Sequence, residues 1–126
     1  MNIPENLKYT KDHEWIRVEG NAGYIGITEY AQGELGDVIF VELPAIGKKF
    51  QHGEIFGTIE AVKTVSDLYS PIGGEIMEVN KAVQETPEIV NKDPYGKGWM
   101  VKIKIDNPKE LETLLSADGY KKIIAQ

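Results

Sequence analysis

No cysteine occurs in the chain, and only two histidines do, His13 and His52. Without thiols there is no disulfide framework, no thiolate nucleophile and no protein sulfur to exchange with a bound dithiol. Neither histidine has paired ligand spacing around it, which leaves a zinc or iron site without ligands. Neither sits in a triad or nucleophile-elbow motif, so we expect no metal and no catalytic residue.

Positive charge is also short. The 14 Lys and Arg face 20 acids, a formal net charge of −6, so a phosphate backbone or an anionic membrane leaflet is repelled. No apolar run approaches the roughly 18 residues of a membrane span. Met1 to Asn6 show neither a basic leader nor an Arg-rich amphipathic start, and the expectation is a cytoplasmic protein without nucleic-acid or membrane partners. Gly33-x-x-Gly36 lacks the Lys-Ser/Thr of a phosphate loop and the third glycine of a dinucleotide fold. The acid pairs Glu29/Glu34 and Glu110/Glu112 read as ordinary solvated stretches, not as general acid-base groups.

What the chain does have is punctuation. Its 126 residues, 13 of them Gly and 6 Pro, are one domain's worth (1–126) around one expected core, built of many short strands. Tyr9–Thr10, then Glu14–Val18, a turn at Glu19-Gly20-Asn21 and Ala22–Ile27 read as antiparallel strands. Thr28 has the position of an N-cap for a short helix through Leu35 that Gly36 closes in the left-handed conformation. Val38–Leu43 and Lys48–Phe50 read as further strands. Thr86-Pro87-Glu88 reads as a helix start and Trp99–Ile105 as a last strand, for a total of about seven. Asn107, Pro108 and Glu110 predict a C-terminal helical tail over about 107–126 that buries Leu111, Leu114 and Leu115. The fold class is mainly β, a small barrel or sandwich with short helices and a C-terminal helix.

From Ile55 the side chains alternate: Ile55, Gly57, Ile59 and Ala61 share one face, and Leu68, Ser70, Ile72, Gly74 and Ile76 share another. A protruding hairpin over about 55–77 follows, with Lys63 in its connection and glycines 57, 73 and 74 for close packing at its base. A lysine on a turn is usually only solvated. Here, however, a tight hairpin would fix the place of an amine while exposing it, which is what an attachment point needs.

The residues around Lys63 carry a resemblance. Glu60-Ala61-Val62-Lys63, with Ser66-Asp67 and Ser70-Pro71 downstream, resembles the lipoylation hairpin of the glycine cleavage H-protein family. Similar family stretches are Tyr9–Trp15, Gly26–Gln32, Gly36–Pro44, Glu75–Asn80 and Val90–Trp99 with its Asn-x-Asp-Pro-Tyr-Gly. Biotin carriers usually flank the lysine with methionines and 2-oxoacid dehydrogenase lipoyl domains carry Asp-Lys, whereas the neighbours here are Val62 and Thr64.

The resemblance implies a barrel-sandwich hybrid and a non-catalytic monomeric carrier, with lipoic acid bound covalently to Lys63. It implies that an aminomethyl group from glycine moves from a pyridoxal-phosphate-dependent decarboxylase to a tetrahydrofolate aminomethyltransferase. Dihydrolipoyl dehydrogenase then restores the disulfide, and a lipoate ligase or octanoyltransferase installs the arm. An alternative is an H-like carrier relaying lipoyl or octanoyl groups to other lipoate-dependent enzymes. Losing the lysine charge on amide formation leaves Glu60 and Asp67 nearest the tip, so partners are expected to offer a basic dock. Glu14 and Asp67 match the positions where the loaded arm's amine is received. Their ordinary alternatives are a solvated residue beside Trp15 and a turn acid capping local amides.

Overall fold

A computed structural model describes residues 1–124. The strands are β1 (Lys8–Tyr9), β2 (Glu14–Glu19), β3 (Ala22–Ile27), β4 (Val38–Glu42), β5 (Lys49–Phe50), β6 (Ile55–Ala61), β7 (Val65–Tyr69), β8 (Gly74–Val79) and β9 (Val101–Ile105). The expected count of about seven becomes nine, partly because the run Leu68–Ile76 is divided between β7 and β8, which lie in different sheets. Helices α1 (Glu29–Leu35), α2 (Lys81–Glu85), α3 (Ile89–Lys92) and α4 (Ala117–Ile123) complete the chain.

Two antiparallel sheets enclose the main core. One runs β1-β2-β3-β9-β8-β5 and the other β4-β6-β7. Ile16, Ile25, Ile59, Ile72, Ile76 and Ile103 lie between them, each at most 1% exposed. The single core expected from length is instead two buried clusters. The second packs Tyr9 and Trp15 against Tyr120 of α4, with Ile3 and Leu7 sealing it. The barrel-sandwich expectation is met, and both clusters hang on the larger sheet.

The hairpin departs from the alternation read above. A bulge between Ile55 and Gly57 shifts the register of β6 against β7. Phe56 therefore turns into the core while Ile55 stays 48% exposed, since one extra residue swaps the faces of everything before it. The hairpin is also shorter than 55–77. Strand β7 stops at Tyr69, Ser70–Gly73 turn the corner, and β8 joins the other sheet. Of the three glycines at its base, Gly57 and Gly74 are required: a β-carbon there would meet the carbonyl oxygens of Glu42 and Lys104. At Gly73 the nearest atom would stand at 3.4 Å, an ordinary contact.

Thr28 caps α1, its hydroxyl accepting from the Ala31 amide at 3.1 Å, a bond worth about 1 kcal/mol. Gly36 has φ +82° as glycine allows, but ψ −160°, so the chain leaves α1 extended and not left-handed helical. Helix α2, capped by Asn80, was not foreseen, and α3 starts at Ile89 with no side-chain cap. The tail differs most. Residues Pro108–Thr113 form a 3₁₀ turn, Leu115 pairs with Tyr9, and α4 begins anew behind the cap Ser116. Leu111, Leu114 and Leu115 are half-buried. Glu110 does not close a capping box but accepts the Gly73 amide at 2.8 Å. The end of the expected tail, 125–126, lies outside the described residues.

Candidate functional site

Strands β6 and β7 bring Lys63 to their exposed tip, in a three-residue connection closed by the Ala61 amide donating to the Thr64 carbonyl at 2.8 Å. Val62 on one side is 72% exposed and Val65 on the other 63%. The lysine stem lies over Gly36, where a β-carbon would stand 3.6 Å from Lys63 Cε. The amine thus stands at the exposed turn at one end of the three-stranded sheet, where β6 is flanked by β4 and β7.

Beside the hairpin runs a cleft of about 130 Å³. Ile27, Leu35, Ile59 and Leu68 supply apolar wall, and Asp12, Glu14, Glu34 and Asp67 supply four carboxyl groups. Ser66, the first lining residue on β7, is three residues from Lys63, about 10 Å along a strand. Asp67 sits within β7 opposite Thr58, so it is a strand residue facing the cleft and not a turn acid.

Glu14 is not solvated either. It is 2% exposed, and its two oxygens accept from the Thr10 hydroxyl and from the Tyr69 amide, both at 2.9 Å. Burial pushes its carboxyl up to about 8, against the lowering effect of those two bonds and with a small further push from Asp12. His13 precedes it with φ +69°, the one non-glycine residue at positive φ among those described. Its Nδ1 lies 2.8 Å from the Tyr120 hydroxyl, which is 2.7 Å from Thr28 Oγ1. Burial lowers the His13 pKa, and Asp12 and Glu34 act the other way.

The structure therefore brings Glu14 and Asp67 to one cleft, while Lys63 does not line it and stands on the turn three residues before its lining residue Ser66. It adds Asp12, which the sequence did not single out, and His13 and Glu34, which read as residues without a site role. Glu34 reads as solvated because only the placement of α1 turns it toward the hairpin. Of the other acids passed over, Glu29 accepts the Asn2 amide at 3.3 Å and Glu110 holds the hairpin corner. Asp12 and Glu14 also border a second groove of about 550 Å³ behind the hairpin base, walled by Tyr9, Tyr69, Leu114 and Leu115.

The donor set fits a lipoyl group. An exposed primary amine is free for amide formation, and the cleft beside β7 offers apolar wall along its length and carboxyl groups for an amine. No cluster suited to a metal ion exists among the described residues, and none of their helices is long and apolar enough to cross a membrane.

Comparison with known proteins bears on the same point. The family model described as glycine cleavage H-protein matches residues 7–126. The glycine cleavage system H protein of Bacteroides fragilis is 56% identical over 124 residues, covering 98% of each chain. That of Staphylococcus carnosus is 53% identical over 126 residues, all of both chains. A crystal structure of the H protein from Mycobacterium marinum superposes with a TM-score of 0.90 at 38% identity, covering 98% of this chain and 100% of that one. On the hairpin, the two sheets and these matches, the chain belongs to the glycine cleavage H-protein family, the non-catalytic lipoyl carriers of the glycine cleavage system.

Proposed function

We propose that Lys63 Nζ forms the amide to lipoic acid and that the cleft beside β7 receives the arm, with Glu14 and Asp67 facing its amine. The observation that carries this is an exposed tip lysine on the same hairpin whose β7 lines a cleft with four carboxyl groups. When bound, the lipoyl group supplies a dithiolane that accepts and yields an aminomethyl group while cycling between disulfide and dithiol.

The chain's own residues do the rest. The turn between β6 and β7 keeps the attachment point on the exposed surface, so partner active sites reach it without contacting the core. Ile27, Leu35, Ile59 and Leu68 keep water off the methylene part of the arm. Asp67, with Asp12 and Glu34 beside it, gives the cleft a negative potential that favours a cationic amine over a neutral one. A protonated amine is a poor electron donor for expelling its own sulfur, so this potential slows release to water.

The partners in this reading are the pyridoxal-phosphate-dependent glycine decarboxylase, the tetrahydrofolate aminomethyltransferase, dihydrolipoyl dehydrogenase, and a lipoate ligase or octanoyltransferase for installation. The bacterial relatives support a cytoplasmic setting, and a monomer suits a tip that must enter several active sites in turn. Intact mass spectrometry on protein from lipoate-replete cells tests the attachment. One lipoyl increment is expected, mapped to Lys63 and lost in Lys63→Ala; an increment on any other residue rejects the assignment.

A further inference from the structure

The Asn-x-Asp-Pro-Tyr-Gly stretch is the motif that the carrier reading leaves without a role. Tyr95 within it accepts the Glu29 amide at the start of α1 at 3.1 Å and donates to the Asn2 carbonyl at 2.8 Å. Asn91 works at the other end of α1. Its Nδ2 donates to the Gln32 Oε1 and to the Gly36 carbonyl, both at 2.9 Å, and its Oδ1 accepts the Val38 amide at 2.8 Å.

Those three bonds span the loop between α1 and β4. Asn91 grips residues 36 and 38 on either side of Asp37, whose carbonyl accepts the Val62 amide at 3.0 Å. Val62 is the neighbour of Lys63, and the lysine stem rests on Gly36 itself. Gly36 holds φ +82° there, secured by its own amide donating to Gln32 at 3.0 Å and by the Asn91 bond to its carbonyl. Two donors and one acceptor on one short side chain are what a carboxamide supplies. A carboxylate of the same shape has no donor for either oxygen.

We infer that Asn91 is a positioning residue for Lys63, setting the 36–38 loop against which the hairpin tip and the lysine stem are braced. This rests on the reading of Lys63 as the attachment residue and extends it. The modifying enzyme must meet the amine within a narrow range of positions. Strand β6 is paired to β4 as far as Val38 and Ala61 and to β7 as far as Glu60 and Val65, and the turn beyond those pairs would sway. The tie from Val62 to Asp37 limits that sway only while residue 37 is itself held.

The test uses the full chain without its cofactor, lipoate, ATP and a lipoate–protein ligase. The wild-type chain is run first, and an increment on a residue other than Lys63 rejects the attachment reading before any variant is made. With Lys63 modified, Asn91→Asp is expected to lower kcat for lipoyl transfer about tenfold with little change in KM. Acetylation of Lys63 by a small N-hydroxysuccinimide ester, which needs no placement, stays at the wild-type rate. Hydrogen exchange of the Val62 amide speeds up while that of the core strands does not. Asn91→Ala, which removes the bonds without adding charge, follows the same pattern. Wild-type kcat in both variants overturns the inference. So does a fall in kcat matched by loss of the folded circular dichroism signal, or failure of both variants to fold, since either makes Asn91 a residue of the fold alone.

Discussion

Glu14 and Tyr69 stand 55 residues apart in sequence, and the Tyr69 amide donates to Glu14 Oε2 at 2.9 Å. The bond ties the first long strand of the large sheet to the last residue of the hairpin's second strand, at the point where the chain leaves for the other sheet. The partner oxygen, bound to the Thr10 hydroxyl, meets a group that can turn from donor to acceptor. Glu14 therefore keeps both contacts whether it is ionised or protonated.

Stability should then depend on pH in a direction opposite to that of a salt-bridged carboxylate. Burial raises the folded-state pKa of Glu14 from 4.5 to about 8. Between those values the folded chain holds a proton that the unfolded chain has lost. The stabilisation is complete below the unfolded value and is lost as pH rises toward about 8. Denaturant midpoints followed across that window should fall more steeply for wild type than for Glu14→Gln, by an amount on the order of 4 kcal/mol over the full span. Parallel curves for the two proteins would show that Glu14 ionises as freely folded as unfolded.

The carboxyl groups of the cleft should matter to the cargo and not to its installation. Glu14→Gln with Asp67→Asn leaves the tip untouched, so lipoylation of Lys63 should proceed as in wild type. Once loaded with the aminomethyl group, the double variant should release ammonia and formaldehyde into buffer several-fold faster, because loss of the Asp67 charge weakens the negative potential that holds the amine's proton. Adding Glu34→Gln should speed release further, as Glu34 lines the same cleft. Equal release rates for wild type and the triple variant would remove the carboxyl groups from any sheltering role.

These groups also mark where reading from sequence stopped. The position of Lys63 between two alternating strands is a local property, set by period-two patterning within about ten residues. It was legible for that reason, as were Thr28 as a cap and the turn at Gly20. The bulge at Phe56 is not local in this sense. It depends on how Tyr69 and Leu68 are met from the other strand, and it put Ile55 and Phe56 on the wrong faces. The cleft is further still from a local pattern. Asp12 arrives from the turn after β1, Glu14 from the start of β2, Glu34 from the end of α1 and Asp67 from β7, and only the tertiary fold brings them together. Glu14 and Asp67 were named through the family resemblance alone.

A link from the C-terminal helix to the cleft should be measurable. The Tyr120 hydroxyl sits between His13 Nδ1 and Thr28 Oγ1, so it joins α4 to the residue before Glu14 and to the cap of α1. Burial pushes its pKa up to about 12, keeping the hydroxyl protonated and able to donate. Tyr120→Phe keeps the ring stack on Tyr9 but leaves His13 and Thr28 each without that partner. A loss of about 1–3 kcal/mol is expected from the urea midpoint at unchanged slope. A midpoint within error of wild type would mean that water replaces the hydroxyl in full.

Glycine substitutions give the sharpest contrast, because Gly74 in a strand is crowded by backbone while Gly33 in a helix faces open space. Gly74 begins β8, and a β-carbon there would collide with the Lys104 carbonyl carbon and oxygen, backbone atoms of the paired strand that cannot swing aside. Gly74→Ala must push β8 and β9 apart at the corner where the chain leaves the hairpin, and a destabilisation of at least about 3 kcal/mol is expected. Gly33 lies in α1 with nothing within 4 Å of its would-be β-carbon. Gly33→Ala meets no obstacle and removes the entropy penalty of glycine in a helix, so a gain of about 0.5–1 kcal/mol is expected. Thermal melts of the two variants beside wild type decide the matter. If Gly74→Ala is tolerated, the β8–β9 pair is looser than its register implies, and if Gly33→Ala destabilises, α1 needs its glycine for something other than space.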